Sequence, residues 1–267
     1  MGNNPEKKYL SLAAYFRNAV NNRIILTFQE IEQIIGHQLP NAAYLNKSWW
    51  KKTKPPAKHF HAWTRAGYAV EDVEPGGRVI FVRTDDSQRQ PGQTGGLERD
   101  TVLVRSAEPD DARSVIDLQR RVEAASSYML YSRDERNTST QNMRKQLAEW
   151  KKSGTSLVLI AILNGRQAGY LFFIGNSAKR AAHRAAIVVG VLPEFQGRGI
   201  GQALLKKAEE SASHRQVSRL ELTVAAENKA AIHLYEKAGY MVEGTRRHAL
   251  LIDGQLQDEL YMAKLLD

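Results

Sequence analysis

Apolar positions recur with a helical period at the start of the chain, where Tyr9, Leu12, Ala13, Phe16 and Val20 fall on one face. Thr27-Phe28-Gln29-Glu30 has the form of a capping box. Ile31, Ile34 and Ile35 follow it on one side, with Gly36 as a stop. Pro40 and Asn41 open a further helical stretch through Trp49 and Trp50, and a third short helix is expected over 58–66, stopped by Gly67. The period then changes. Residues 68–73 and 78–83 alternate or run apolar around Glu74-Pro75-Gly76-Gly77, the signature of a β-hairpin. Residues 85–100 hold almost no large apolar side chain and are rich in Gly, Gln and Pro. Such a stretch cannot bury enough surface to offset its ordering entropy, so it reads as a flexible linker.

Beyond it, a strand is expected over 101–106 and a helix from Pro109 and Asp110 through Val122, with Val115, Ile116, Leu118 and Val122 inward. A polar helical region covers about 138–152. Strands over 156–163 and 167–174 flank Asn164-Gly165, among the strongest short hairpin signals. A strand over 186–191, a helix over 201–213, a strand over 219–224 and a helix over 226–238 follow. Two last strands over 241–252 and 256–265 meet at Asp253-Gly254. The expected fold class is α+β: a mixed, mostly antiparallel sheet flanked by helices, preceded by a small helical domain with a β-hairpin. The expected boundaries are 1–84, a linker over 85–100, and 101–267.

Composition narrows the class. A chain of 267 residues with 42% apolar and 25% charged residues supports two ordinary globular domains. No apolar run approaches the roughly 18–20 residues that span a bilayer. The polar start, Met1 to Lys8, has no leader core, and Glu6 stands where a myristoylation motif needs Ser or Thr. The absence of cysteine excludes disulfides, thiolate metal sites and a Cys nucleophile. A cytoplasmic protein is expected. The net charge of +9 is concentrated early: residues 1–84 carry 12 Lys and Arg against 6 Asp and Glu. Such an excess suits polyanions, and equally suits solubility alone.

The chemistry centres on residues 196–201. An apolar strand, Val188-Val189-Gly190-Val191, runs through Leu192-Pro193-Glu194-Phe195 into Gln196-Gly197-Arg198-Gly199-Ile200-Gly201, which opens an apolar-periodic helix. A helix N-terminus offers unpaired N–H groups and a positive dipole end, and glycines let the backbone approach a phosphate. Such a loop can be a dinucleotide site, an unliganded turn or another phosphate site. A doubly wound fold needs a parallel βαβ unit with an acid at the next strand's end. This loop follows three successive strands and the chain closes on a hairpin.

The sequence here resembles the GNAT superfamily of N-acetyltransferases over about 101–267. Gln196, Gly199 and Gly201 match its acyl-CoA motif. Glu227-Asn228-Lys229-Ala230-Ala231-Ile232-His233-Leu234-Tyr235-Glu236-Lys237-Ala238-Gly239-Tyr240 matches its second motif nearly throughout. The tail, from Glu243-Gly244-Thr245-Arg246-Arg247 to Glu259-Leu260-Tyr261-Met262, is similar to the ribosomal-protein-acetylating branch. The resemblance implies acetyl-CoA as cosubstrate, no metal, and acetyl transfer to a primary amine by direct attack in a ternary complex. It implies cofactor contacts at Val189, Val191, Gln196, Gly197, Arg198, Gly199, Gly201 and Asn228, and a general acid at Tyr235. Packing alone would account for Tyr235, and N-capping alone for Asn228. A backbone N–H freed near Gly190 could polarise the thioester oxygen. The base does not carry over: Thr223 stands where some members have Glu, leaving Glu221 and Glu259 as candidates beside water. His183, His214, His233 and His248 form no ligand-spaced pair. Residues 126–134, from Ser126 to Asp134, mix aromatic and polar groups and can line the acceptor site.

Before the linker, Trp49-Trp50-Lys51-Lys52-Thr53-Lys54-Pro55-Pro56-Ala57-Lys58-His59-Phe60-His61-Ala62-Trp63 interleaves basic and aromatic residues. The pattern suits phosphate contacts plus base stacking, with 40–50 as the reading helix of a winged helix. It also suits a small core of tryptophans with a lysine rim. The segment resembles a small bacterial domain of uncharacterised function. The second functional reading is therefore a nucleic-acid-binding protein in which residues 1–84 do the main work and the acyl-CoA domain senses or localises. The acceptor and the oligomeric state do not follow from the sequence.

Overall fold

The computed structural model describes residues 5–53, 57–84, 99–131 and 135–266. The chain divides into two compact units. One comprises residues 1–103 with 162–167, and the other 104–161 with 168–267. The linker expected over 85–100 falls almost wholly outside the described residues, as do Lys54, Pro55 and Pro56.

The first unit starts with α1 (Leu10–Asn18), followed by β1 (Arg23–Thr27) and α2 (Phe28–Ile35). At the head of α2 the Thr27 hydroxyl accepts from Glu30 N–H while the Glu30 carboxylate takes Thr27 N–H at 2.7 Å, so the capping box closes in both directions. The single helix expected over 40–50 is two: α3 (Asn41–Leu45) and α4 (Lys47–Lys51). Asn46 between them sits at φ −125°, ψ 112°, an extended conformation that breaks the run. The helix expected over 58–66 is reduced to α5 (His61–Thr64). The hairpin forms as β2 (Tyr68–Glu74) and β3 (Arg78–Arg83). β1 was not expected. It joins the hairpin in a three-stranded sheet, β1-β3-β2, with Ile24 opposite Phe81 and Leu26 opposite Val79. Its alternate residues Ile24 and Leu26 are buried among exposed Arg23, Ile25 and Thr27, a two-residue period confined to five positions.

The second sheet has seven strands in the order β4-β5-β6-β7-β8-β10-β9. These are β4 (Val102–Ser106), β5 (Leu157–Leu163), β6 (Arg166–Gly175), β7 (Arg184–Val191), β8 (Arg219–Ala225), β9 (Met241–Ile252) and β10 (Gln255–Leu265). The helices are α6 (Ala112–Ala125), α7 (Thr140–Ser153), α8 (Ile200–Ser213) and α9 (Lys229–Lys237). β6 runs antiparallel to β7, β8 antiparallel to β10, and β7 parallel to β8. This is the mixed, mostly antiparallel sheet flanked by helices that the sequence pattern led us to expect. β5 and β6 are buried almost end to end, as central strands covered on both faces are.

One polar pair anchors this core. Arg105 on β4 grips Asp111, just ahead of α6, with two parallel hydrogen bonds of 2.7 and 2.8 Å, and both side chains are buried. Asp111 Oδ2 also accepts Glu108 N–H, which ties the entry of α6 to the strand.

Candidate active site

β7 and β8 pair only from Arg184, Ala185 and Ala186 to Arg219, Leu220 and Glu221. Past that point β7 stays on β6 as far as Val191, and β8 stays on β10 as far as Ala225. The two central strands therefore part. Residues 187–191 have backbone groups facing the gap with no strand partner on that side, although buried backbone polar groups need one. Val189 and Val191 lie on this free stretch, half-buried.

The chain leaves β7 through buried Leu192 and Phe195 and reaches the glycine loop. The Gln196 side-chain amide points back to Val191 O. Gly197 and Gly199 have φ of +72° and +76°, conformations that L side chains rarely adopt, and nothing stands within 4 Å of where a Cβ would be. Gly197, Arg198 and Gly199 are all exposed. Ala203 N–H is the first in α8 to find a backbone acceptor there, Gly199 O at 3.0 Å. The N–H groups of Ile200, Gly201 and Gln202 thus head the helix without an intrahelical partner. An open backbone cradle at a helix N-terminus fits a diphosphate. Gly201 has a second duty: a Cβ there would come within 2.7 Å of the Leu234 side chain, so its bareness lets α8 and α9 close up. Gln202 reinforces the contact by donating to Leu234 O at 3.2 Å.

That packing sets the next residue, Tyr235, in the buried side of α9, with Tyr240 at a ring-centroid distance of 5.9 Å. Burial pushes the Tyr235 phenol up to about 12, so it is protonated at neutral pH. Asn228 caps α9, its Oδ1 accepting from Ala231 N–H at 3.2 Å. This leaves its side-chain N–H groups without an acceptor among the described residues.

The two carboxylates considered as bases are both committed. Glu221 takes Arg184 on one oxygen and Arg219 on the other, each at 2.9 Å, and lies at the closed end of the strand pair. Glu259 accepts from Arg246 at 2.9 Å. Thr223 is exposed on β8. No group of three or more His, Asp or Glu residues suited to a metal occurs among the described residues. Of the acceptor-wall segment, Tyr128, Leu130 and Tyr131 are exposed, whereas Ser132, Arg133 and Asp134 lie outside the described residues.

Sequence reasoning passed over four polar residues. Gln119 and Glu123 occupy inward positions of α6 among Val115, Leu118 and Val122, and both are buried. Glu123 accepts from Arg136 Nε at 2.7 Å, and Tyr170 is wholly buried on β6 beside Gly190. The available signal was a polar residue at an apolar phase of the helix, since glutamate is almost never buried without a partner.

The buried phenols make stability sensitive to alkali. Burial raises Tyr9 to about 12, helped by Glu6, and Tyr235 equally. A phenol raised on folding favours the folded state while protonated. Its contribution is complete below pH ~10 and is lost as pH climbs through ~12. Denaturation midpoints measured against pH should stay level up to about 10 and fall between about 10 and 12. A midpoint unchanged through that window would mean that neither phenol is withheld from water.

The parted parallel strands, the open glycine cradle and the buried tyrosine together define an acyl-transferase type of α+β domain. Residues 124–240 match the model of the acetyltransferase (GNAT) family, and residues 9–85 match a domain of unknown function, DUF7662. The L-amino acid N-acetyltransferase AaaT of Escherichia coli (strain K12) is 32% identical over 108 residues, 40% of this chain and 67% of that protein. A ribosomal-protein-alanine N-acetyltransferase of Brucella melitensis superposes with a TM-score of 0.54 at 26% identity, over 61% of this chain and 99% of that one. The yncA protein of Salmonella typhimurium, solved with its cofactor acetyl-CoA, shares the fold with a TM-score of 0.56 at 22% identity, over 62% of this chain and 94% of that one. This chain belongs to the GNAT family of N-acetyltransferases.

In the N-terminal unit, Trp50 and Trp63 are core residues, and Trp49 stacks on His59 with ring centroids 3.9 Å apart. Trp50 donates to Ala43 O at 2.8 Å. The Trp50 and Trp63 rings are taken up by the core, and one face of half-buried Trp49 is taken by His59. The match over residues 9–85 brings no nucleic-acid activity with it. Among the described residues, no helix is long and apolar enough to cross a membrane.

Proposed function

We propose that the chain transfers the acetyl group of acetyl-CoA to a primary amine by direct attack, both substrates being bound together. The observation that carries this reading is the parting of β7 from β8 beside an open glycine cradle. In it, the backbone of Gln196, Gly197, Arg198, Gly199 and Gly201 holds the diphosphate of coenzyme A. The pantetheine arm lies along the free edge of β7 at Val189 and Val191, and the side-chain N–H groups of Asn228 meet it from the head of α9.

The amine nitrogen forms a bond to the acetyl carbon and the carbon–sulfur bond breaks. The amine loses a proton to water and the sulfur gains one. A backbone N–H near Gly190 faces the carbonyl oxygen as negative charge builds there. Tyr235 presents its O–H to the departing thiolate. With its phenol raised to about 12 against a thiol near ~8.5, it acts first as a hydrogen-bond donor. Glu221 lies at the closed end of the strand pair, and in this reading the amine's proton leaves through water. Residues 1–84 form an accessory domain joined by the 85–100 linker, and the protein works in the cytoplasm.

The test is an acceptor screen with the full chain, acetyl-CoA and free amino acids, polyamines, aminoglycosides, peptide N-termini and basic proteins. Coenzyme A release that depends on the amine, with an N-acetyl product, is expected. No product from any amine would overturn the proposal.

A further inference from the structure

The four polar residues missed by sequence reasoning lie on α6, beyond its end and on β6, whose partner strand β7 carries the proposed site. Gln119 and Glu123 are one helical turn apart on α6, so they share a face, and α6 packs on β7. Tyr170 pairs with Gly190 across the β6–β7 ladder, and its hydroxyl would be 2.9 Å from a Cβ at Gly190. Tyr170 is pushed up by burial first and by the Glu123 carboxylate second, and it also feels Arg136 and Tyr235. Glu123, Arg136, Tyr170 and Tyr235 are therefore one electrostatic neighbourhood, at the point where the thioester carbonyl lies in the proposed function.

Two atoms there lack partners. Gln119 Oε1 and the Tyr170 hydroxyl are buried with no hydrogen bond among the described residues. A buried polar atom left unmade costs about 1–3 kcal/mol, so these atoms point to a ligand. Both oxygens can accept from an ammonium or amine N–H. Arg136 supplies the opposite requirement. Its Nε is taken by Glu123, and its ring-facing side lies over Tyr131, 4.4 Å from the centroid. Its two Nη groups find no acceptor among the described residues, and the side chain is about one quarter exposed (26%). Held on one edge and open on the other, a guanidinium accepts a carboxylate on two parallel N–H groups.

We propose that the acceptor is an α-amino carboxylate, a free amino acid whose carboxylate docks on the Nη groups of Arg136 and whose amine is received by Gln119 Oε1 and the Tyr170 hydroxyl. Glu123 is a positioning residue: its buried carboxylate orients the guanidinium. A cationic tail, as on a polyamine, is repelled at this spot by Arg136. The inference rests on the acetyl-transfer reading and narrows its acceptor.

The experiment compares kcat/KM of the full chain for methionine, leucine and phenylalanine with 3-(methylthio)propylamine, isopentylamine and phenethylamine, which keep the side chain and lack the carboxylate. Loss of a charge-assisted contact predicts a preference for the amino acid on the order of 10- to 100-fold, carried mainly by KM. In Glu123→Gln/Arg136→Gln the buried ion pair becomes a neutral hydrogen-bonded pair, and the preference should collapse toward one. Arg136→Lys keeps the charge but loses the fork, and should give an intermediate ratio if the double variant fails to fold. Equal use of amine and amino acid by the wild type overturns the proposal, as does a preference that survives these substitutions. Acetylation of polyamines or peptides without amino acids overturns it while leaving acetyl transfer standing. No acetylation of any amine overturns both.

Discussion

Replacing Tyr235 by phenylalanine is expected to lower kcat by about 10²- to 10³-fold, the loss seen when one preorganised donor to a developing anion is removed. The ring of Tyr235 fills a buried place on α9 beside Tyr240, and phenylalanine keeps that volume. The substitution removes only the O–H. Affinity for acetyl-CoA should therefore be retained, because the glycine cradle and the edge of β7 are untouched. Burst and steady-state kinetics with a saturating amine separate the two quantities. A kcat within a few-fold of wild type would make Tyr235 a packing residue and end its catalytic assignment.

The largest effect on stability is expected at Asp111. Its carboxylate takes both forks of buried Arg105 and the Glu108 N–H. Asp111→Ala leaves a guanidinium buried without its counter-charge and leaves the start of α6 without its tie to β4. Breaking a buried pair from one side costs about 3–5 kcal/mol. For a unit of this size that is a fall in melting temperature on the order of 10 °C. Replacing both partners by apolar side chains of similar volume should cost much less, because no charge is then stranded. Calorimetry of the two variants decides. Equal losses would mean that the site tolerates a lone arginine through solvent access.

How much of this was legible beforehand differs along the chain. The loop at 196–201 was visible because three features coincided: an apolar strand, alternating glycines and an apolar-periodic helix. The structure separates their duties, which spacing could not do. Gly197 and Gly199 carry positive φ, and Gly201 gives way to Leu234. Asn164-Gly165 and Asp253-Gly254 announced their hairpins through turn chemistry, which is local. The parting of β7 from β8 was invisible, since it is a property of strand register between segments far apart in sequence.

β1 escaped notice for a different reason. Arg-Ile-Ile-Leu-Thr is short, and only its partner β3 shows that Ile24 and Leu26 point inward together. The break at Asn46 escaped because Trp49 and Trp50 extended an apolar pattern that the backbone does not follow. Gln119 and Glu123 were missed because they look like solvated helix residues until their burial is known. Glu221 and Glu259 show the reverse: plausible bases by position, they prove to be held by Arg184, Arg219 and Arg246.

The central claim is that the cradle at 196–201 and the free edge of β7 form an acetyl-CoA site. Isothermal titration of acetyl-CoA into the 267-residue chain tests it most directly. Saturable binding at one site per chain, displaced by free coenzyme A, is the expected result. A folded protein that takes up no acetyl-CoA in this titration would contradict it.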